Sequence, residues 1–327
     1  MRRRPLLPLL LAGMLPLAVA RAFGQVGSAP RRIGMLGIGS VAGGGGTNAR
    51  ELVAGLRSHG LVEGRDFVLD ERWAGGRVEG LAALAAQLVA LKPALLVTLG
   101  PQATQAALDA DAQLPVVATL GEVIGLGFAA QLGRPGGRLT GVSFLGTPLN
   151  AKRLELLAEL VPKGSAVLNL GDPATRSDVL AEAIAATARA SGLVSHTLYA
   201  ATAADVEKVL ASARRLRVAG VNVLGSPFLH GNRALIIELA AKARLPAVYQ
   251  WPSTAREGGL MAYGPNVAAM RQQVAGLVAR VLGGTKAGDL PIEQPTKFEL
   301  VINLRTAQAL GLAIPPALLL RADEVIE

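Results

Sequence analysis

The residues of this sequence that could do chemistry are few and widely spaced. Its three histidines, His59, His196 and His230, fall in separate segments, and the chain contains no cysteine. Signatures of zinc peptidases, serine hydrolases and phosphate-binding loops are absent. A triad can be assembled by folding alone, but nothing in the spacing indicates one. The lack of cysteine excludes thiol catalysis, disulfide bonds, cysteine-based metal sites and a lipid-anchored N-terminus.

A glycine-rich turn, LGIGSVAGGGGTN, follows the first apolar run. Gly37-x-Gly39-x-x-Ala42 is one form of the dinucleotide fingerprint, in which the turn runs directly into a helix. Here the helix signals begin only at Thr47. We therefore expect this turn to line a ligand cleft, with Gly43–Gly46 supplying either exposed amides or simple loop flexibility, and we expect no cofactor.

The first 22 residues predict an export signal. Three arginines precede an uncharged apolar run, Leu6–Ala20, and Ala20-Arg21-Ala22 has the small-x-small form of a cleavage site. About 15 apolar residues fall short of the roughly 20 that span a bilayer, so cleavage near Ala22 is favoured over a membrane anchor. The predicted location is the periplasm, where nicotinamide cofactors are scarce.

The charge of the chain does not indicate nucleic acid binding. Arg2, Arg3, Arg4 and Arg21 contribute four of the formal charges of +9, which leaves +5 after the predicted cleavage. The remaining basic residues are scattered beside acidic ones, with few aromatic residues between them, as on a solvated surface.

Short apolar runs alternate with amphipathic stretches along the rest of the chain. Runs apolar at every position, separated by helices, indicate parallel strands covered on both faces. The predicted strands are Ile33–Gly37, Phe67–Trp73, Leu95–Leu99, Pro115–Thr119, Leu139–Phe144, Ala166–Leu170, Val194–Leu198, Gly220–Leu224, Ala247–Gln250 and Phe298–Asn303. The alternation of apolar runs and amphipathic stretches starts again near residue 150, which predicts an α/β fold of two doubly wound Rossmann-like lobes.

We predict that the chain crosses between these lobes. Residues 31–144 with about 264–290 should form the N-terminal lobe, and residues 145–263 with about 291–327 the C-terminal lobe. Hinge strands are expected near Phe144–Leu149 and Met261–Asn266. We expect a monomer.

Ligands of doubly wound sheets lie beyond the carboxyl ends of the strands, and several polar residues follow predicted strands. Glycine and hydroxyl residues at a helix start suit a carboxylate. The candidates of this kind are Ser40, Thr47, Gly100, Gln102 and Thr104, with Asp172 and Ser226 in the corresponding loops of the second lobe. Thr47 and Thr104 are equally compatible with capping or core positions.

Glu122 is the one acid in the apolar stretch from Leu114 to Gln131. It could receive an ammonium group in a charge-assisted hydrogen bond, or lie in a solvated loop. Aromatic residues cluster at strand ends, and we expect Phe228, Trp251 or Tyr263 to contact the side chain of a ligand. Ordinary packing is the alternative for each of them.

Four segments carry a resemblance to a known family. They are LVEGRDFVLDERWAGG from Leu61, LGRPGGRLTGVSFLGTPLNAKRLELL from Leu132, GGLMAYGPN from Gly258, and the terminal run from Asp289 to Glu327. Together they resemble ABC transporter substrate-binding proteins of the tryptophan/tyrosine type, over essentially the whole chain after the predicted signal.

The resemblance implies a type I periplasmic binding fold whose lobes close on a small ligand, an amino acid and in some members an aromatic one. The ligand would pass to a permease of the inner membrane with a cytoplasmic ATPase. The sequence departs from the family's usual pattern at Ala42–Gly46, which is richer in glycine, and at Glu122-Val123-Ile124, where Asp-Pro-Val is usual. The alternatives are a ligand-sensing module for a membrane kinase, an exported enzyme on the same scaffold and, if residues 1–22 were retained, a dinucleotide oxidoreductase.

Overall fold

The computed structural model describes residues 29–41 and 45–327. The predicted signal and Ala42, Gly43 and Gly44 lie outside the described residues. The strands are β1 (Arg31–Gly37), β2 (Phe67–Trp73), β3 (Leu95–Leu99), β4 (Val116–Leu120), β5 (Leu139–Ser143), β6 (Ala166–Gly171), β7 (Val194–Tyr199), β8 (Val218–Val223), β9 (Ala247–Tyr249), β10 (Met261–Pro265), β11 (Ile292–Glu293), β12 (Phe298–Asn303) and β13 (Glu324–Ile326).

Helices connect most of the successive strands, as the alternating pattern predicts. They are α1 (Gly46–Ser58), α2 (Leu81–Ala90), α3 (Pro101–Ala110), α4 (Gly146–Ala158), α5 (Asp178–Ala190), α6 (Ala203–Arg215), α7 (Pro227–Gly231), α8 (Arg233–Lys242), α9 (Pro252–Arg256), α10 (Val267–Leu282), α11 (Leu304–Leu310) and α12 (Pro316–Leu319). Within the described residues, no helix is long and apolar enough to cross a membrane.

The first sheet has the strand order β11-β5-β4-β3-β1-β2, and all of its pairs are parallel. Side chains alternate between its faces because a strand has a period of two. Ile33 and Met35 pack with α1 and α10 on one face, whereas Leu36 packs with α2 and α3 on the other. This sheet and its four helices form the first lobe.

The second sheet has the order β13-β12-β10-β9-β8-β6-β7, in which only the β10–β12 pair is antiparallel among the described strands. Leu168 and Val221 pack with α6 and α8 on one face. Val167 and Val248 pack with α4 and α5 on the other. With its helices this sheet forms the second lobe, and the predicted fold class of two doubly wound α/β lobes is confirmed.

The described chain passes between the lobes three times. It leaves β5 for α4 at Phe144 and Leu145, and Leu145 has a left-handed backbone with φ 57°. It returns from β10 to α10 at Asn266, which accepts a hydrogen bond from Ala269 N at 2.7 Å and so caps the helix. The third crossing runs from β11 to β12 through residues 294–297.

These crossings correct the predicted hinge strands. Residues 146–149 belong to α4, and Met261–Pro265 is β10, paired on both sides in the second sheet. The lobe boundaries stay a prediction, with one difference. Ile292 and Glu293 pair with β5, so they lie in the first sheet and not in the second lobe.

Candidate functional site

A cleft of about 510 Å³ lies at the carboxyl ends of the strands, between the two lobes. The first lobe contributes the loops after β1, β3 and β4, and the second contributes the segments after β8 and β9. The lobes are in contact beside the cleft. Gly100 of the first lobe lies so close to Pro227 of the second that a Cβ added to the glycine would be 2.7 Å from the proline ring. The volume is typical of a small-molecule site.

Three aromatic rings line this cleft. Trp73 ends β2 in the first lobe, Phe144 lies at the first crossing, and Trp251 follows β9 in the second lobe. The Phe144 and Trp251 rings meet edge to face, with centroids 5.4 Å apart and an interplanar angle of 60°. Phe144 and Trp251 therefore form one apolar contact at the cleft, and Trp73 adds a separate ring from the first lobe.

The glycine-rich turn makes room for Trp73. A Cβ at Gly37 would lie 2.3 Å from the indole, and one at Gly45 would lie 2.6 Å from it. Trp73 Nε1 donates a hydrogen bond to Glu71 Oε2 at 2.8 Å, which fixes the orientation of the ring. Because Gly37 and Gly45 have no side chains, they leave the space that the Trp73 ring occupies at the cleft.

Polar groups gather at the start of α4. Glu122 Oε1 accepts a hydrogen bond from Thr147 N at 2.6 Å and so binds the N-terminus of this helix. Glu122 makes no ion pair with any described residue. The hydroxyl oxygens of Thr119 and Thr147 line the cleft, are buried, and have no hydrogen-bond partner in the described chain. Asn150 and Gln250 line the same region.

The other charged side chains around the cleft are paired with one another. Arg233 contacts Glu257 at 2.6 Å. Arg256 contacts Glu299 at 3.4 Å. Arg271 on α10 contacts Glu51 on α1 at 3.2 Å and donates a hydrogen bond to Asn48. Burial lowers the pKa of Arg271, and Glu51 opposes this shift.

His230 lies on α7 against the Trp251 ring, with centroids 6.1 Å apart. Burial lowers the pKa of its imidazole to about 3, and the charges of Arg233 and Arg271 add to that shift. The imidazole is therefore neutral at pH 7. It extends the aromatic contact at the cleft without adding a charge.

The described residues hold no group of three or more His, Asp or Glu side chains that could bind a metal ion. A scan against protein-family models matches residues 47–326 to the model described as ABC transporter substrate binding protein. The chain belongs to this family.

Known proteins resemble this substrate-binding protein in sequence and fold. A tyrosine-binding protein from Clostridioides difficile (strain R20291) is 21% identical over 266 residues, which cover 80% of this chain and 75% of the relative. A Streptococcus pneumonia ABC domain in complex with L-Trp superposes with a TM-score of 0.82 at 23% identity, covering 91% of this chain and 100% of that one. A conserved domain protein from Vibrio cholerae gives the same TM-score at 24% identity, covering 90% and 99%.

Four of the residues that the sequence predicts to bind a ligand lie at the cleft of this substrate-binding protein. Thr47, Gly100, Glu122 and Trp251 all line it. Their contact with a ligand stays a prediction. Thr47 also accepts a hydrogen bond from Arg50 at 3.1 Å, so one of its lone pairs is already used within α1.

The hydroxyl and amide candidates of the first lobe are placed elsewhere. Thr104 is fully buried, donates to Gly100 O at 2.8 Å and lies 2.8 Å from Thr98 Oγ1. The Thr104 side chain therefore points toward Thr98 in β3 and not toward the cleft. Gln102 and Ser40 are not among the cleft-lining residues. Ser40 is exposed, and its backbone carbonyl oxygen accepts a hydrogen bond from Gly45 N at 2.9 Å.

Candidates of the second lobe also need correction. Ser226 Oγ donates to the buried Asp172 carboxylate at 2.5 Å and accepts from Phe228 N, so the pair caps α7. The Phe228 ring packs in the core of the second sheet. Tyr263 stacks on Phe298, with ring centroids 6.2 Å apart. None of these four side chains lines the cleft.

Sequence reasoning missed several cleft residues. Trp73 was open to detection, since it is the last residue of a predicted strand and one of only two tryptophans. Gln250 carries the same signal, since it ends the predicted strand Ala247–Gln250. Asn150 and His230 carry no such signal, because each lies inside a helix and only the rotation of that helix turns it toward the cleft.

Proposed function

We propose that this protein binds an α-amino acid with an aromatic or large apolar side chain and delivers it to an ABC importer. The observation that carries the proposal is the set of groups that line the cleft. A carboxylate without an ion-pair partner among the described residues, Glu122, is joined there by two threonine hydroxyls without a hydrogen-bond partner in the described chain and by aromatic rings.

Glu122 supplies the site for the α-ammonium group. Its Oε1 is held by Thr147 N, and its second oxygen remains able to accept a charge-assisted hydrogen bond. The other charged groups at the cleft already have partners within the protein. A ligand with one unmatched positive charge suits this arrangement better than a neutral sugar does.

The aromatic rings supply the site for the ligand side chain. Trp73 and Trp251 come from different lobes, so one side chain placed between them would bridge the lobes and favour the closed state over an open one. The names of two similar proteins support this class, since one is a tyrosine-binding protein and the other was described in complex with L-Trp.

Transport accounts for the remaining features. The family is that of ABC transporter substrate binding proteins, and the predicted export signal would place the protein in the periplasm beside a permease. We infer that the ligand leaves unchanged, because apart from Glu122 the carboxylates around the cleft are paired with arginines in the described structure.

Calorimetry of the purified protein with each of the twenty amino acids tests the proposal. We expect tight binding of tryptophan, tyrosine or phenylalanine, and a stability gain of about 2.7 kcal/mol at a ligand concentration 100 times Kd. Glu122→Gln keeps the acceptor for Thr147 N but removes the charge, so it should weaken binding about 10- to 100-fold.

Glu159→Gln is the matched control. Glu159 ends α4 and contacts Arg321 at the surface, away from the cleft. It should leave the affinity unchanged. Absence of binding by all twenty amino acids, or an equal effect of the two substitutions, would contradict the proposal.

A further inference from the structure

Arg153 on α4 is a buried cation without a counter-ion. Its side chain has no exposed surface. Nη1 donates a hydrogen bond to Tyr263 O at 3.0 Å, and Nη2 donates to Asn150 Oδ1. Nε has no partner in the described chain, and apart from the phenol of Tyr263 no acidic group, and no described Asp or Glu, contributes to the electrostatic surroundings of this residue.

A buried charge without a counter-ion lowers the stability of a fold. A buried charge is normally paired, because the loss of hydration costs several kcal/mol per ion. Burial lowers the pKa of Arg153 to about 9, so the guanidinium still carries its charge at neutral pH. Its ordinary structural partners are only a carbonyl and a carboxamide oxygen. None of these partners carries a negative charge.

Asn150 connects Arg153 to the cleft. Residues 147, 150 and 153 follow one another at intervals of three and therefore share one face of α4. Asn150 lines the cleft, and its Oδ1 accepts hydrogen bonds from both Arg153 and Gly225 N, the latter at 3.0 Å. Both neighbours can only donate, so the oxygen must face them. The Nδ2 group, a donor, is left for the cleft.

The backbone of Asn150 is held as well. Its carbonyl oxygen accepts from Asn222 Nδ2 at 3.2 Å, and that amide also donates to Asn169 Oδ1 at 3.1 Å. The carboxamide oxygen is thus held by two donors, and the backbone of the same residue is held by a third. A donor whose orientation is set before binding loses little entropy when the ligand arrives.

We propose that Arg153 is a positioning residue, which holds the Asn150 amide toward the cleft and supplies the positive charge behind it for the carboxylate of the ligand. This rests on the proposed function and adds to it, since Glu122 would receive the ammonium group and the Asn150 wall the carboxylate. The two ends of the amino acid would then bind to residues joined by α4.

The test compares two probes of nearly equal size, L-tryptophan and L-tryptophanamide, by calorimetry. Arg153→Met removes the charge and the hydrogen bond to Asn150. We expect the affinity for L-tryptophan to fall about 10- to 100-fold, as for a hydrogen bond to a charged group, and the affinity for the amide to change less than about threefold. Asn150→Asp replaces the donor by an acceptor and should show the same selectivity if Arg153→Met does not fold.

Arg138→Met is the matched control. Arg138 is likewise an arginine that donates hydrogen bonds to uncharged acceptors, the backbone carbonyls of Leu108 and Leu114, but it lies in the first lobe away from the cleft. It should leave the ratio of the two affinities unchanged.

An equal loss for both probes in Arg153→Met and Asn150→Asp would show a purely structural role and overturn the proposal. So would an unchanged preference for the carboxylate. A wild-type protein that binds neither probe, while another amino acid class or none binds, contradicts the proposed function itself. That failure appears before any variant is made, and the role of Arg153 falls with it.

Discussion

The neutral state of His230 makes the stability of the protein depend on pH. Burial and the charges of Arg233 and Arg271 lower the pKa of this imidazole to about 3, whereas an unfolded chain has the ordinary value of about 6.5. Below pH 6.5 the unfolded state therefore binds a proton that the folded state does not. The contribution of His230 is fully present above pH 6.5 and is lost as the pH falls toward 3.

The size of this effect follows from the shift. Each pH unit between the two pKa values costs about 1.4 kcal/mol, so the free energy of unfolding should fall by about 2 kcal/mol between pH 7 and pH 5 on account of this one group. His230→Gln fills a similar volume and does not titrate. The stability difference between wild type and variant should therefore shift by about 2 kcal/mol in favour of the variant over that range.

Urea denaturation of both proteins at pH 7, 6 and 5, at constant ionic strength, measures this difference. The carboxylates that titrate in the same range are common to the two proteins, so they cancel in the comparison. Unfolding free energies that run parallel from pH 7 to pH 5 would refute the reasoning. They would mean that the imidazole accepts a proton in the folded cleft despite its two arginine neighbours.

Two further substitutions test the packing around the cleft. Gly37→Ala places a Cβ 2.3 Å from the Trp73 ring; it should cost about 1–3 kcal/mol in urea denaturation and weaken tryptophan binding. Gly39→Ala, whose Cβ would have no atom of the described residues within 4 Å, should keep wild-type stability. Ser226→Ala removes the hydrogen bond to the buried Asp172 carboxylate and the cap of α7; it should cost about 1–3 kcal/mol with unchanged affinity in calorimetry. If Ser226→Ala loses affinity for the ligand but keeps wild-type stability, Ser226 takes part in ligand binding after all.

The regular elements could be predicted because their apolar patterns are local. The strands Phe67–Trp73, Leu95–Leu99 and Phe298–Asn303 have the predicted bounds. The short helices Pro227–Gly231 and Pro252–Arg256 were missed, because five residues hold too little periodicity to distinguish a helix from a loop.

The site could be predicted only as a set of loops. The strand ends located the cleft, but the direction of each side chain depends on tertiary contacts. Thr47 and Thr104 have the same type and the same position near a helix start, yet one lines the cleft and the other is fully buried. Asp172 and Ser226 bind each other across two loops that are 54 residues apart. Nothing local in the sequence indicates such a pairing.

The path of the chain has a consequence for biogenesis. Helix α10 covers one face of the first sheet, with Met270 and Val274 in its core, although the first five strands of that sheet end at Ser143. A nascent chain must therefore emerge as far as Leu282 before its N-terminal half can complete its packing. Until then this half stays incompletely folded, and an export channel that accepts only extended polypeptide could still carry it.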